Sequence, residues 1–315
     1  MSQQAFVGNP AAAACPIRDP GLPRWLADRL EPGLEPKTVV SVDKGWIEER
    51  KAGPVTLFRV AVPGASALEP REFQSAVEQS YHAVATILRK RERFPLRFWN
   101  YVPRIASHFA AGLTGYQLFN AGRHAALRRW HREAFSQQLT SASAVGSASG
   151  DFALYVLASR GAGNPVDNPR QIQPHRYSRR YGPVPPAFAR ATVLPDETAS
   201  FLGCRAVVSG TASIVGEDTQ HLEDIGEQLL EVERNLVTLS NVALGHGFNH
   251  QRALARYRDL RVYTPQREHR EPIERWLDKL FPRRRSSELI HTDLCRSNLL
   301  VEVEGTLVDA GAEMR

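Results

Sequence analysis

Strand-forming runs and amphipathic helices alternate along this chain, and the second half repeats the order of the first: strand, strand, helix, strand, helix, strand. In the first half the segments are Thr38–Val42, Val55–Val62, a helix over Glu69–Lys90 opened by Pro70, Leu96–Tyr101, a helix over Ala121–Phe135, and Phe152–Ala158. In the second half they are Phe188–Val193, Cys204–Ser209, a helix over His221–Ser240, Leu260–Tyr263, a helix over Pro272–Leu280, and closing strands from Glu288 onward. Leu222, Ile225, Leu229, Val232, Leu236 and Leu239 recur at steps of three and four, one apolar stripe suited to lie on a sheet. The pattern predicts an α+β protein of two similar halves, each a mixed sheet covered by helices. No residue-level repeat accompanies it. We expect an irregular N-terminal arm over residues 1–37, a first domain over 38–162 and a second over 163–315. The polar, Pro-rich passage Gly161–Pro186 between them is long enough to carry part of a site.

With 315 residues and 42% hydrophobic content, the chain can bury one large core or two ordinary ones. No run of about twenty apolar residues is present to span a bilayer, and the first residues lack a basic stretch followed by a long apolar one, so the expectation is a cytoplasmic protein. Three cysteines, Cys15, Cys204 and Cys295, are widely separated and without metal-ligand spacing, which predicts neither structural disulfides nor a metal site. Ten histidines, among them His221, His246 and His250, show no ligand spacing either. A net charge of +6 raises nucleic acid as a partner, but the basic residues are scattered among acids apart from Arg283–Arg285 and the Arg176, Arg179, Arg180 group, and no nucleic-acid motif surrounds them. The same bias suits a small dianion drawn into an arginine-lined cleft.

The closing segment carries the clearest chemical signal. In Leu299-Leu300-Val301-Glu302-Val303-Glu304-Gly305, alternation sends Leu299, Val301 and Val303 to one face and Leu300, Glu302 and Glu304 to the other. Glu302 therefore sits in an apolar, strand-like run. A Glu ordinarily titrates at about 4.3, and desolvation lifts that value, which makes a sheltered Glu302 a general acid at neutral pH. Glu304, beside Gly305 at the strand end, is expected to be exposed.

Five phrases, in order over nearly the whole chain, resemble the chorismatase family: Phe98-Trp99-Asn100-Tyr101-Val102-Pro103, Tyr116 to Arg123, Tyr181 to Ala191, Ser209-Gly210-Thr211-Ala212-Ser213-Ile214-Val215-Gly216, and Cys295 to Gly305. The resemblance implies two YjgF-like α+β halves in one chain, with the substrate site in the second half or where the halves meet. It implies cleavage of chorismate to pyruvate plus either a dihydroxycyclohexadiene acid or hydroxybenzoate, with no cofactor. The family's proton donor falls on Glu302. The position seven residues earlier tends to be Ala in the diene-forming branch and Cys in the aromatising branch, so Cys295 favours 3-hydroxybenzoate, with 4-hydroxybenzoate or the diene acid as accompanying products left open. The rival expectation is a non-catalytic or imine-deaminase-like YjgF-type binder of small acids. Two positions depart from the family pattern: Val232 stands where Thr is common, and Glu217 where His is common.

Chorismate carries two carboxylates, which guanidinium forks match in a bidentate way. Arg123, Arg190 and Arg205 are the expected carboxylate ligands because each falls within or beside a matching phrase; Arg296 lies at an expected turn. Tyr116 and Tyr181 are expected to donate hydrogen bonds to the substrate. Ser209, Gly210 and Thr211 are small enough for backbone to approach a ligand, although a glycine there also serves to relieve a bulge.

Overall fold

A computed structural model describes residues 21–30, 37–42, 44–109, 112–245 and 249–309. Cys15, His246 and most of the expected arm lie outside these residues. Within the arm, Arg24–Ala27 forms a short helix, α1, that buries Trp25 and Leu26. The first half then runs β1 (Lys37–Val42), β2 (Gly45–Ala52), β3 (Val55–Val62), α2 (Pro70–Lys90), β4 (Phe94–Val102), α3 (Gly115–His131), β5 (Ser141–Gly146) and β6 (Phe152–Ser159). The second half runs β7 (Asn164–Val166), β8 (Ala191–Val193), α4 (Asp196–Leu202), β9 (Ala206–Ala212), a hairpin of β10 (Ile214–Val215) and β11 (Asp218–Thr219), α5 (Ile225–Ala243), α6 (His250–Leu254), β12 (Tyr257–Thr264), α7 (Arg270–Leu280), β13 (Ser286–His291) and β14 (Glu302–Leu307).

Each half builds one six-stranded mixed sheet, in the spatial orders β1-β2-β3-β6-β4-β5 and β7-β8-β9-β14-β12-β13. The two orders are the same if the small hairpin is set aside. In both, the last strand enters antiparallel between the third and fourth, and the fourth pairs in parallel with the fifth. The duplication expected from the element order is therefore present in the topology, although no repeat marks it in the sequence.

The sheets face one another and the helices cover their outer faces. Phe73, Val77, Tyr81 and Leu88 of α2 and Leu118 and Phe119 of α3 pack on Phe58, Phe98 and Val156 of the first sheet. Val232 and Leu236 of α5 and Ile273 and Leu277 of α7 pack on Val208, Val262 and Val303 of the second. The inner layer is made by Leu57, Trp99, Tyr101 and Tyr155 from one sheet and Val207, Ala212 and Tyr263 from the other. Each Val, Leu, Ile or Phe side chain among them contributes about 1.5–3 kcal/mol when fully buried. The expected stripe is largely realised: Leu229, Val232, Leu236 and Leu239 are buried, whereas Leu222 precedes the helix, is exposed, and is replaced as the start signal by Asp224, whose Oδ1 accepts from the Glu227 N–H at 3.0 Å.

Five strands have no counterpart in the expected order: the short β7, β10 and β11 of the second half, and β2 and β5 of the first. β2 carries Glu48, Glu49, Arg50 and Lys51, which hides its alternation, and β5 is the small-residue run Ser-Ala-Ser-Ala-Val-Gly. The latter matters most, since β5 stands beside the second half: Ala142 N–H donates to Ser209 Oγ at 2.8 Å, and Ser141 N–H donates to Thr192 Oγ1 at 2.9 Å.

Candidate active site

Helix α3 begins six residues earlier than its hydrophobic pattern indicates, because Thr114 and Gln117 form a reciprocal cap: Gln117 N–H donates to Thr114 Oγ1 at 3.2 Å, and Thr114 N–H donates to Gln117 Oε1 at 2.9 Å. The earlier start puts Tyr116, Phe119 and Arg123 at i, i+3 and i+7 on one helix face. Gly122 lets the helix seat tightly, since a Cβ there would overlap the Gln74 carbonyl of α2. The face so presented lines one wall of a cavity of about 280 Å³ between the two halves. Ala142, Ser143 and Ala144 of β5 line it from the first half; Phe188, Arg190, Gly210, Cys295 and Glu302 line it from the second. Its volume is near the lower end of small-ligand sites, roughly 300 Å³ upward.

Glu302 is 5% exposed and faces this cavity from the first residue of β14. Burial, followed by the nearby Glu304 carboxylate, pushes its carboxyl up to about 8, against the opposing pull of Arg97 and Arg190. It holds its proton at neutral pH. Gly210 makes room for it, because a Cβ at that position would overlap Glu302 Oε1. A register shift in the β9·β14 ladder lies at the same place: between Val303 and Gly305 the partner strand advances from Thr211 to Val208. The glycine thus serves the bulge and the close approach together.

Three guanidinium groups that line the cavity, those of Arg123, Arg190 and Arg296, have no carboxylate partner among the described residues, and the first two are buried. Arg123 lies over the rings of Tyr81, Phe98 and Phe119 at 5.5, 5.7 and 6.0 Å, and its Nε is buried without a hydrogen-bond partner. Arg190 donates to Tyr177 Oη at 2.7 Å and stacks on Phe188 at 5.1 Å, again with Nε unpartnered. A buried cation is costly unless an anion or acceptor completes it, so Arg123 and Arg190 are chemically suited to receive negative charge. Arg296 closes the rim: its Nη1 donates to the Glu217 carbonyl at 2.8 Å and to Thr219 Oγ1 at 3.1 Å, and its guanidinium lies 3.7 Å from the Tyr181 ring centre. Tyr181 itself donates to Asp218 Oδ1 at 2.7 Å, and Arg180 pairs with the same carboxylate.

The comparisons with known proteins agree with one another. A family description, chorismatase FkbO/Hyg5-like, N-terminal, matches residues 35–158. The chain is 31% identical over 307 residues to a 3-hydroxybenzoate synthase of Streptomyces hygroscopicus, an alignment covering 94% of this chain and 89% of that protein. This chain belongs to the chorismatase family. A chorismatase of Streptomyces rapamycinicus is 37% identical over 216 residues, which cover 67% of this chain and 63% of that one. A crystal structure of a chorismatase superposes with a TM-score of 0.75 at 28% identity, over 87% of this chain and 80% of that chain.

The chorismatase-family phrases do not all reach the cavity. Glu302, Cys295, Arg123, Arg190, Tyr116, Tyr181 and Gly210 line it. Arg205 does not: it lies just before β9, at the far end of the strand from Gly210, and pairs with Asp196 of α4. Ser209 is committed to the junction of the halves, accepting from Ala142 N–H and donating to the Ala189 carbonyl at 2.6 Å. Thr211 is buried outside the lining and its hydroxyl donates to the Ser209 carbonyl at 3.0 Å. Glu304, expected at an exposed strand end, is 3% exposed and bonded to the other half. The strand does not end beside Gly305 but continues to Leu307.

Cys295 is pushed up to about 12, chiefly by burial and then by Glu302, so its thiol keeps its proton. The Tyr116 hydroxyl is raised by burial and, next, by Cys295 beside it. Arg296, set behind the other arginines in the sequence for lying at an expected turn, and Tyr177, which belongs to no quoted phrase, also line the cavity. A signal for both was the Gly161–Pro186 passage and the turn after β13, the long irregular segments flanking the cavity. Among the described residues no group of His, Cys, Asp and Glu has the arrangement of a metal centre, and no helix is long and apolar enough to cross a membrane.

Proposed function

We propose that Glu302 is the proton donor with which this chain cleaves the enolpyruvyl ether of chorismate to pyruvate and 3-hydroxybenzoate. The observation that carries the reading is a buried carboxyl, held protonated at neutral pH, at the wall of a small cavity that also holds two buried guanidinium groups with no carboxylate partner among the described residues. Arg123 and Arg190 take the two carboxylates of the substrate, one from each half of the molecule. Glu302 gives its proton to the terminal methylene carbon of the enol ether, and the resulting oxocarbenium ion is open to attack by an oxygen. When the ring hydroxyl of the substrate attacks the oxocarbenium carbon, a cyclic ketal forms with loss of the hydroxyl proton. The ring then loses the hydrogen of its ether-bearing carbon as its bond to the attacking oxygen breaks, and the hemiketal left on the ether oxygen collapses to 3-hydroxybenzoate and pyruvate, which carries the transferred oxygen, without net consumption of water. When water attacks instead, the ring keeps both oxygens as the diene acid.

Cys295 is the residue that restricts the volume where such a water would sit; its neutral thiol packs beside Tyr116 and Glu302 and leaves the internal oxygen as the nearer nucleophile. A non-catalytic acid binder is not favoured, since a site for binding alone gains nothing from a neutral carboxyl at its wall. The test is incubation of the purified chain with chorismate, with pyruvate followed by a coupled dehydrogenase and the aromatic product resolved by chromatography. Wild type releases pyruvate and 3-hydroxybenzoate in equal amounts; Glu302→Gln loses roughly 10²–10⁴ in rate, the usual contribution of a general acid. Absence of pyruvate from the wild type at high enzyme concentration overturns the reading.

A further inference from the structure

Glu304 shares the strand and the face of Glu302 but does not touch the cavity. Its Oε2 accepts from Arg97 Nη2 at 2.7 Å and its Oε1 from Trp99 Nε1 at 3.0 Å, and both donors stand on β4 of the other half. The ion pair is almost wholly dry, with Arg97 1% and Glu304 3% exposed. A buried pair of this kind is a weak device for stability, because apolar side chains of similar volume commonly serve as well. Its placement suggests another use. The carboxylate is two residues from Glu302, and Arg97 Nη2 also donates at 3.1 Å to Ser143 Oγ, a side chain of the cavity wall.

We propose that Glu304 is a positioning residue for the acid: clamped across the interface by Arg97 and Trp99, it holds a negative charge beside Glu302 and so keeps the proton on the carboxyl that faces the substrate. The proposal rests on the reading of Glu302 as the proton donor. Two carboxylates on one strand face do not both ionise readily, and the one that accepts hydrogen bonds from a guanidinium and an indole is the one that carries the charge. The clamp therefore breaks the symmetry between two chemically identical groups. The charged and titratable groups around Glu302 are Glu304 on its own strand, Arg97 on β4, Arg190 ahead of β8 and the Cys295 thiol on the loop before β14; around Glu304 they include Arg261 and Tyr263 of β12. Of those that act on Glu302, Glu304 raises its carboxyl and both guanidiniums lower it. Removing the Glu304 charge takes away the raising partner and leaves Arg97 uncompensated, so both changes move Glu302 the same way, downward.

The experiment is the pH dependence of kcat/KM for wild type, Glu302→Gln, Glu304→Gln and Trp99→Phe. Glu304→Gln should keep its activity on the acid side while its alkaline limb moves down by about one pH unit or more, the size expected for loss of a close charge, giving a roughly tenfold deficit above neutrality. Trp99→Phe, which removes one clamp donor and keeps an aromatic ring in the layer, should move the limb the same way by less and covers the case in which Glu304→Gln does not fold. A limb that stays where wild type has it in whichever of these variants folds, while Glu302→Gln is inactive at every pH, overturns the positioning role and leaves the acid assignment standing. An active Glu302→Gln overturns the acid assignment itself.

Discussion

β6 and β14 occupy the same place in their sheets, each entering last and lying between the third and fourth strands. On β6 the residues turned to the inter-sheet layer, Ala153, Tyr155 and Leu157, are closed against the core; on β14 the corresponding face carries Glu302 and Glu304. The difference lies in the strand alongside. β3 runs against β6 in unbroken register from Val55↔Ser159 to Val62↔Phe152. β9 is bulged where it passes β14, so that Val207 before the shift and Ala212 after it both face the inner layer, with Gly210 between them under the Glu302 carboxyl. A duplicated architecture thus keeps apolar and aromatic side chains on this strand face in one copy and carries carboxyls there in the other, where the neighbouring strand has one extra residue and lacks one Cβ.

The comparison is broken most sharply by Gly210→Ala. The obstructing group is the end of a flexible side chain, so the fold should persist, but Glu302 must swing aside. Pyruvate release should fall by about a hundredfold or more, the usual penalty for misplacing a reacting group by an ångström, with little change in the thermal midpoint. An active Gly210→Ala enzyme would show that the close approach is incidental.

A smaller effect separates what each half contributes to binding. Arg123→Met removes the cation supplied by the first half and Arg190→Met that of the second. Each should raise KM for chorismate by about 10- to 100-fold through loss of a charge-assisted contact worth roughly 1.5–3 kcal/mol. If only one of them raises KM, the two carboxylates are not shared between the halves.

The smallest catalytic effect belongs to Ser209→Ala. Its hydroxyl bridges the halves through Ala142 and Ala189 and does not line the cavity. Thermal or denaturant unfolding should show a loss of about 1–3 kcal/mol, from leaving a buried N–H unpaired, with KM unchanged. A raised KM without loss of stability would return Ser209 to the substrate site.

Much of this molecule is legible from its residues. The order of strands and helices indicates two similar halves, and the position of Glu302 in an apolar run marks a sheltered carboxyl, because burial beside apolar neighbours is a local property. What the sequence hides is what depends on partners far along the chain. Arg205 stands beside a matching phrase, yet β9 carries it to the far end of the strand from Gly210, where Asp196 takes it. Glu304 looks exposed beside a glycine until Arg97 and Trp99, more than two hundred residues away, reach it. β5 escapes notice because small residues give no hydrophobic period, although their smallness is what leaves the cavity its floor. The parity change at the β9 bulge cannot be read from either strand alone.

The central claim is that Glu302 is neutral where it meets the substrate. The direct measurement is a pH titration of the free protein labelled with carbon-13 at the glutamate side-chain carboxyl, with the Glu302 signal assigned by its absence from Glu302→Gln. The account predicts a resonance that stays protonated through neutrality and titrates near pH 8. A Glu302 signal that titrates in the ordinary carboxylate range, about 4.3, would contradict it.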